Sequence, residues 1–460
     1  MLTHKYASLF LFLEGFASIA IQFLILRQLT PFVGSSVIIV SIVISVFLAA
    51  LAMGYHRGGS ITTNHTEILA NNLLYAATIL GLFASYFFIS ILYHYINFLN
   101  PIMLLVIYLV AIMAPMVYFV AQTIPILVNS MKAKTSAKQA GDALLYSTLG
   151  NVFGGIITTV IIMYFVGTSW AIMLTVTILL VLSLTITSDR KKAMLKILIL
   201  LPLVFFINII YTKKIFVAET AYANYSVETI NDNKHFIINR SNSSFIDNKT
   251  KKVYPYIENI QKMIKLYAFD IPNPQILILG AGGFTLNFHK DLPGTFHYVD
   301  IDQRIKTIAE KHFLKEDINA TFTGKDARLF LNESTSKYDI IIVDAYTNAY
   351  AIPENLSTVE FYRLISHKLK PRGLLISNVI ADPFLSDSFS KLMDNTIRAP
   401  FTSCFTNVID SIGGNANILY ICSIRPVDKE EETTLIYHDN TNRVSIDYFL
   451  DRVSFQSNRE

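Results

Sequence analysis

Up to about residue 211 the chain is almost unbroken apolar sequence, and this limits the fold more than any other feature. A helix needs about 20 apolar residues to cross a bilayer. Segments of that kind fall near residues 6–26, 37–54, 73–92, 101–128, 144–166, 170–186 and 193–211, which predicts about seven membrane helices. The whole chain is 52% hydrophobic and 16% charged, yet the second half has ordinary globular composition, so the excess lies in the first half. The opening "MLTHKYASLFLFLEGF" has no small-residue cleavage pattern after its apolar run and reads as a retained span. The expected setting is therefore an integral protein of the cell membrane, with the lipid bilayer as a partner. Net charge is +4 and no basic cluster carries interleaved aromatics, so no nucleic-acid partner is expected.

Lysine and arginine in the short connections are lopsided. Lys5, Arg57, Lys132, Lys134, Lys138, Arg190, Lys191 and Lys192 fall on one side and Arg27 on the other, which puts the amino terminus in the cytoplasm. Seven spans would then put the soluble half outside. If the last segment, interrupted by Lys196 and Pro202, lies in the interface instead, the soluble half is cytoplasmic; both topologies stay open. Within the first span Glu14 and Gln22 mark a candidate polar site, because burying a charge in lipid is costly. Glu14 reads either as a protonated carboxyl bonded to another helix or as a cation or proton site. The fifth span carries "LGNVFGG", where Gly150 and Gly154 offer a small-residue face for close helix contact.

The soluble half starts with an alternating stretch broken by Asn-Asp-Asn, which predicts hairpins of a small antiparallel sheet over 213–250. The remainder, 251–460, alternates strands with helical segments and predicts a Rossmann-like, doubly wound, mostly parallel sheet. The membrane part is 1–212. In "PQILILGAGGFTLNFH" a buried strand leads into a glycine turn and then a predicted helix, and Gly280, Gly282 and Gly283 suit close approach to a ligand. Asp300 and Asp302 end the next strand, about 20 residues on, where an acid accepts hydrogen bonds from ribose hydroxyls. In "GKDAR", Asp326 and Ala327 read as a helix cap or as a contact to an adenine amino group. "YDIIIVDAY" runs four apolar residues into Asp344, at the carboxyl end of a strand buried on both faces.

There is no phosphate cradle after the glycines, no metal-spaced Cys/His pair and no Gly-x-Ser-x-Gly elbow. A glycine turn and ribose acid without phosphate chemistry point to an adenosyl sulfonium ligand. Cys404 and Cys422, on flanks that look like neighbouring strands, read as two buried thiols; a disulfide would imply an oxidising compartment.

Taken in order, the hairpin stretch, "YPYIE", "GAGG", "VDID", "GKDA", "IIIVDAY" and "IPENLSTVEFY" resemble the spermidine synthase family of aminopropyltransferases. "GSSVIIVSIVISVFLAALAMGYHRGG" and "LLYSTLGNVFGG" resemble its branch fused to an amino-terminal membrane domain. The resemblance implies a small β domain before a methyltransferase-type core. It also implies decarboxylated S-adenosylmethionine as co-substrate, no permanently bound cofactor, no metal, and a small amine as acceptor. It places Asp300 on the ribose acid, Asp326 on the adenine contact and Asp344 on the catalytic aspartate. As general base, Asp344 would take the proton that an acceptor ammonium must lose before attack. Tyr222, Tyr256, Glu258 and Tyr346 fall near the acceptor, and Tyr346, Tyr350 and Tyr362 read either as cation–π partners or as core packing. Several positions depart from the family. Gly283 stands where the glycine loop normally holds the donor's amine with an aspartate, and Thr347 where a second aspartate grips the acceptor. Ala223 replaces a glutamine and Lys262 a histidine. Methyl transfer from S-adenosylmethionine itself, or a non-catalytic polyamine or nucleoside transporter or sensor, are the alternative readings. A homodimer is one expected assembly.

Overall fold

The structure, a computed structural model, describes residues 4–34, 36–96, 98–130, 136–288, 291–346, 352–412, 414–424, 436–442, 444 and 447. The chain divides into two compact units, Met1–Ala221 and Tyr222–Glu460.

Among the described residues of the first unit seven helices are long and apolar enough to cross a membrane: Tyr6–Val33, Val37–Gly59, His65–Phe83, Pro101–Ser130, Ala137–Met163, Thr168–Ile186 and Arg190–Ile215. The third starts at His65 and stops at Phe83, earlier at both ends than the sequence suggested. Ser85 explains the stop. Its hydroxyl donates to the Leu82 carbonyl (2.6 Å) and accepts from the Phe88 amide (3.2 Å), which caps a separate short helix, Tyr86–Tyr95. The seventh helix runs on past Lys196 and Pro202, widening to a π turn at Phe206–Ile210. It packs into the bundle: Asn208 Nδ2 donates to the Gly81 carbonyl (2.7 Å) near the end of the third helix. A two-residue extended segment, β1 (Ala218–Glu219), follows.

The first and fifth helices meet backbone to backbone. A Cβ at Gly150 would lie 2.0 Å from the Phe12 carbonyl oxygen, and one at Gly154 2.6 Å from that of Phe16. At this contact Glu14 is buried and accepts a hydrogen bond from Ser147 Oγ at 3.0 Å. Gln22, eight residues on and so about 12 Å further along the helix, is half-buried.

In the second unit β2 (Asn224–Ile230), β3 (Asn233–Ile238) and β4 (Ser241–Asp247) form an antiparallel meander. Both turns are two-residue loops with left-handed backbone, at Asn231–Asp232 (φ 51° and 68°) and Asn239–Arg240 (φ 47° and 67°). That geometry matches the twist of paired strands. A helix, Pro255–Tyr267, leads into a seven-stranded sheet. Its strands are β5 (Gln275–Leu279), β6 (Thr295–Asp300), β7 (Thr321–Gly324), β8 (Tyr338–Val343), β9 (Leu369–Ala381), β10 (Ser403–Ile412) and β11 (Asn415–Ser423), in the order β10-β11-β9-β8-β5-β6-β7. β5 to β9 pair parallel, and β10 and β11 are antiparallel. Ile340, Ile341 and Ile342 are buried, as expected of a strand covered on both faces.

Two expectations are corrected here. Residues 281–288 form turns rather than a helix. Positive φ at Gly280 (97°), Gly282 (50°) and Phe284 (59°) is incompatible with starting one. Cys404 and Cys422 are direct cross-strand partners on β10 and β11, with Cα atoms 4.1 Å apart, and form a disulfide rather than two free thiols.

Candidate active site

β5 sits between β6 and β8. The chain runs outward through β6 and β7, then returns to the other side of β5 as β8. Open α/β sheets bind ligands at the carboxyl ends of their strands beside such a reversal. Gly280 follows β5, Asp300 ends β6 and Asp344 follows β8, so all three reach that edge. Main-chain bonds fix them: the Gly280 amide donates to the Val299 carbonyl and the Asp344 amide to the Leu279 carbonyl, each at 2.9 Å. Besides its positive φ, Gly280 has no room for a side chain, because a Cβ would lie 2.2 Å from the Asp344 carbonyl oxygen.

Asp300 fastens the glycine turn. Its Oδ2 accepts from the Ala281 amide (2.9 Å) and its Oδ1 from the Asp302 amide (3.0 Å). Burial pushes its carboxyl up to about 6, against the pull of those amides. Each carboxylate oxygen keeps a further acceptor position, which is what vicinal ribose hydroxyls require. Asp302 has protein partners of its own. It is buried, and its oxygens accept from the Tyr225 hydroxyl of β2 (2.7 Å) and the Arg304 amide (2.9 Å). It ties the meander to the sheet. Asp326 is a helix cap: Oδ1 accepts from the Leu329 amide (2.9 Å), Oδ2 from Asn355 Nδ2 (3.0 Å), and Ala327 begins the helix Ala327–Glu333.

Asp344 is half-buried between two donors. Tyr256 Oη donates to its Oδ2 (3.1 Å) and Asn378 Nδ2 to its Oδ1 (3.0 Å). Burial raises its carboxyl above the ordinary aspartate range, while the two hydrogen bonds pull the other way. Burial, together with the neighbouring Asp344 charge, holds the Tyr256 phenol well above its usual value, so it stays a donor. The pair delivers a carboxylate fixed in orientation and more basic than an exposed aspartate. Tyr346 is tied to β9: its hydroxyl donates to the Asn378 carbonyl (3.1 Å) and accepts from the Ile380 amide (2.8 Å). Tyr362 is in the core with its hydroxyl 3.3 Å from Ser377 Oγ, the packing alternative. Thr347 and Tyr350 lie outside the described residues. Neither Tyr222, which is exposed, nor Glu258, in the first turn of the helix Pro255–Tyr267, is among the groups bonded to Asp344.

Asn378 was missed by sequence reasoning. It sits on β9 beside β8, is buried, and its Oδ1 has no hydrogen-bond partner among the described residues. An amide inside the apolar run "GLLISNVIA" was the available signal. The corner at Gly283 is filled. Its amide donates to Ser244 Oγ (2.8 Å), and a Cβ would lie 2.7 Å from the Phe313 ring and 2.8 Å from Ser244 Cβ. The position where the resemblance expects a carboxylate for the donor's amine therefore faces an aromatic ring.

With this geometry established, residues 261–428 match the spermine/spermidine synthase domain family. Over 127 residues the chain is 31% identical to a probable polyamine aminopropyl transferase of Bifidobacterium longum, covering 27% of this chain and 28% of that protein. Over 143 residues it is 29% identical to the polyamine aminopropyltransferase of Thioalkalivibrio sulfidiphilus, covering 29% of this chain and 50% of that protein. The chain thus spans between about a quarter and a half of the length of the curated relatives it matches. Among solved structures it is similar to a probable spermidine synthase from Corynebacterium glutamicum, with TM-score 0.40, 20% identity, and coverage of 46% of this chain and 81% of that one. The likeness to the spermine/spermidine synthase domain is thus confined to residues 261–428 of this chain.

Proposed function

We propose that the second unit binds an adenosyl sulfonium at the carboxyl edge of β5, β6 and β8. It transfers the aminopropyl group of decarboxylated S-adenosylmethionine to a small amine, with Asp344 as general base. Asp300 would hold the ribose, and the Gly280 turn would admit the nucleoside. Asp344 would accept the ammonium proton through a lone pair not used by Tyr256 or Asn378, leaving the amine free to attack the carbon beside the sulfonium. The C–N bond forms, the C–S bond breaks, and the thioether leaves. The supporting observation is Asp344 itself, at the strand reversal with two donors holding its carboxylate. The seven long helices, with large apolar side chains such as Leu198, Ile199 and Val160 exposed on the outer faces of their unit, support membrane integration.

One observation favours a second reading. The filled corner at Gly283 leaves the donor's amine without a carboxylate there, which relaxes the case for the decarboxylated donor and suits methyl transfer from S-adenosylmethionine. Turnover assays of the full chain with both donors and a panel of amines separate the two. Release of the methylthioadenosine-type product with an amine adduct supports aminopropyl transfer. Release of the homocysteine-type thioether supports methyl transfer.

A further inference from the structure

The seventh helix determines where the second unit emerges. Its late half lies beside the carboxyl end of the third helix, where a Cβ at Gly81 would meet Val204 at 2.5 Å. Its last turn meets the start of the sixth: Ser169 Oγ donates to Thr212 Oγ1 (3.2 Å). Past its end, Glu219 Oε1 accepts from Ser169 Oγ (3.0 Å), and the Thr220 carbonyl accepts from Arg27 Nη2 near the end of the first helix (3.0 Å). The ends of the first, third and seventh helices and the start of the sixth therefore share one side of the bundle. The opposite side holds the ends of the second and fourth, joined where Asn129 Nδ2 donates to the Gly59 carbonyl (2.9 Å). The seventh helix runs through the bundle in the same direction as the first and third, rather than lying along an interface.

Charge then orients the bundle. Among the described residues, the side where the first helix begins carries Arg57, Lys138, Arg190, Lys191 and Lys192. The other carries Arg27, Lys213 and Lys214, and Arg27 is buried and bonded to Thr220. Short loops rich in Lys and Arg stay cytoplasmic. A third, independent observation is chemical. The two cysteines of the chain form a cross-strand disulfide on β10 and β11, and disulfides persist in oxidising, non-cytoplasmic compartments.

We propose that the second unit works on the non-cytoplasmic side of the membrane, with the Cys404–Cys422 bridge oxidised there. If the site takes an adenosyl sulfonium, as proposed above, its permanently cationic donor does not cross the bilayer unaided. The reaction must then be preceded by a step that delivers a charged sulfonium nucleoside outward, and the acceptor amine comes from the outer compartment.

The test is sidedness in intact cells expressing the full chain, read as a gel shift with a membrane-impermeant polyethylene-glycol maleimide. Lys249→Cys places a thiol on an exposed turn of the second unit, and Thr63→Cys places one in the exposed loop after the second helix. Lys249→Cys is expected to gain one adduct in intact cells and Thr63→Cys only after permeabilisation, with the native cysteines silent until a reductant is added. Labelling of Lys249→Cys only after permeabilisation, or of both variants from the same side, overturns the proposal. Adducts on the native cysteines without reductant overturn the oxidised bridge. Ligand binding is not read in this assay, so failure of the adenosyl reading would show separately, in titrations of the same protein.

Discussion

The two halves of the candidate site are built differently. On the side proposed for the nucleoside and the base each element is fastened: the backbone of Asp344 and Ala345 abuts Gly280, Asp300 bonds two amides, and Asp344 is held by Tyr256 and Asn378. Where the donor's cationic tail would lie, Gly283 stands in place of the aspartate that the resemblance expects and is packed against Phe313 and Ser244; Ala223 and Thr347 are further departures in the sequence. A charge-assisted contact is worth roughly 1.5–3 kcal/mol, so losing two aspartates lowers affinity for a cationic tail far more than for a nucleoside. The lesson is that the groups proposed for the reaction and those proposed for the cationic tail are separable.

Breaking the fastened half should give the largest effects. Asp344→Asn is expected to lower turnover by about 10²–10⁴-fold, the usual contribution of a general base, while leaving nucleoside affinity in place; steady-state rates beside titration check both. The same variant has a stability signature. The folded-state carboxyl is raised above its unfolded value, so its stabilising contribution is complete below the unfolded value and is lost as pH rises through the folded one. The melting temperature of Asp344→Asn should therefore gain on the wild type as pH increases. A difference that is flat with pH would contradict a raised carboxyl.

Gly280→Ala should come next, costing about 3 kcal/mol through strained backbone and overlap with Asp344, seen as a lower thermal midpoint with loss of nucleoside binding. Restoring the family's acid sharpens the comparison from the other half. Gly283→Asp should not improve binding of the decarboxylated donor, and should destabilise by about 1–3 kcal/mol, because Phe313 and Ser244 occupy the space. Tighter donor binding by this variant would show that the corner opens.

Tyr256→Phe is the mildest. It removes one hydrogen bond to the Asp344 carboxylate, worth about 0.5–1.5 kcal/mol, so the acidic limb of the pH–rate profile should move up by about half to one pH unit. The sign follows from the chemistry, since the deprotonated base is the active form and losing a donor makes it harder to ionise.

What was legible in the sequence follows from what is encoded locally. The apolar runs at 276–279 and 340–343 announced buried strands, so Gly280 and Asp344 fell at strand ends without any knowledge of the partner strands. The Asn231–Asp232 turn had its Asn-Asp signal. The Asn239–Arg240 turn, with equally left-handed backbone, had no glycine to mark it. The helix expected after the glycine turn failed because three positive φ values are set by the approach of neighbouring strands, which sequence spacing does not show. Asn378, the filled corner at Gly283 and the Cys404–Cys422 bond are pairings across 34, 39 and 18 residues. Only the strand order and register bring such partners together. Asp302 is the instructive case: its type and spacing suited a ribose, while its bond to a tyrosine 77 residues earlier could not be read from the sequence.

The most direct test of the central claim is isothermal titration of the full chain in detergent with S-adenosylmethionine, its decarboxylated form and the two thioether products, alongside Asp300→Asn. Saturable binding of a sulfonium–thioether pair by the wild type, weakened in Asp300→Asn under conditions where the variant is still folded, is the predicted result. A well-folded wild type that binds none of the four would contradict the account.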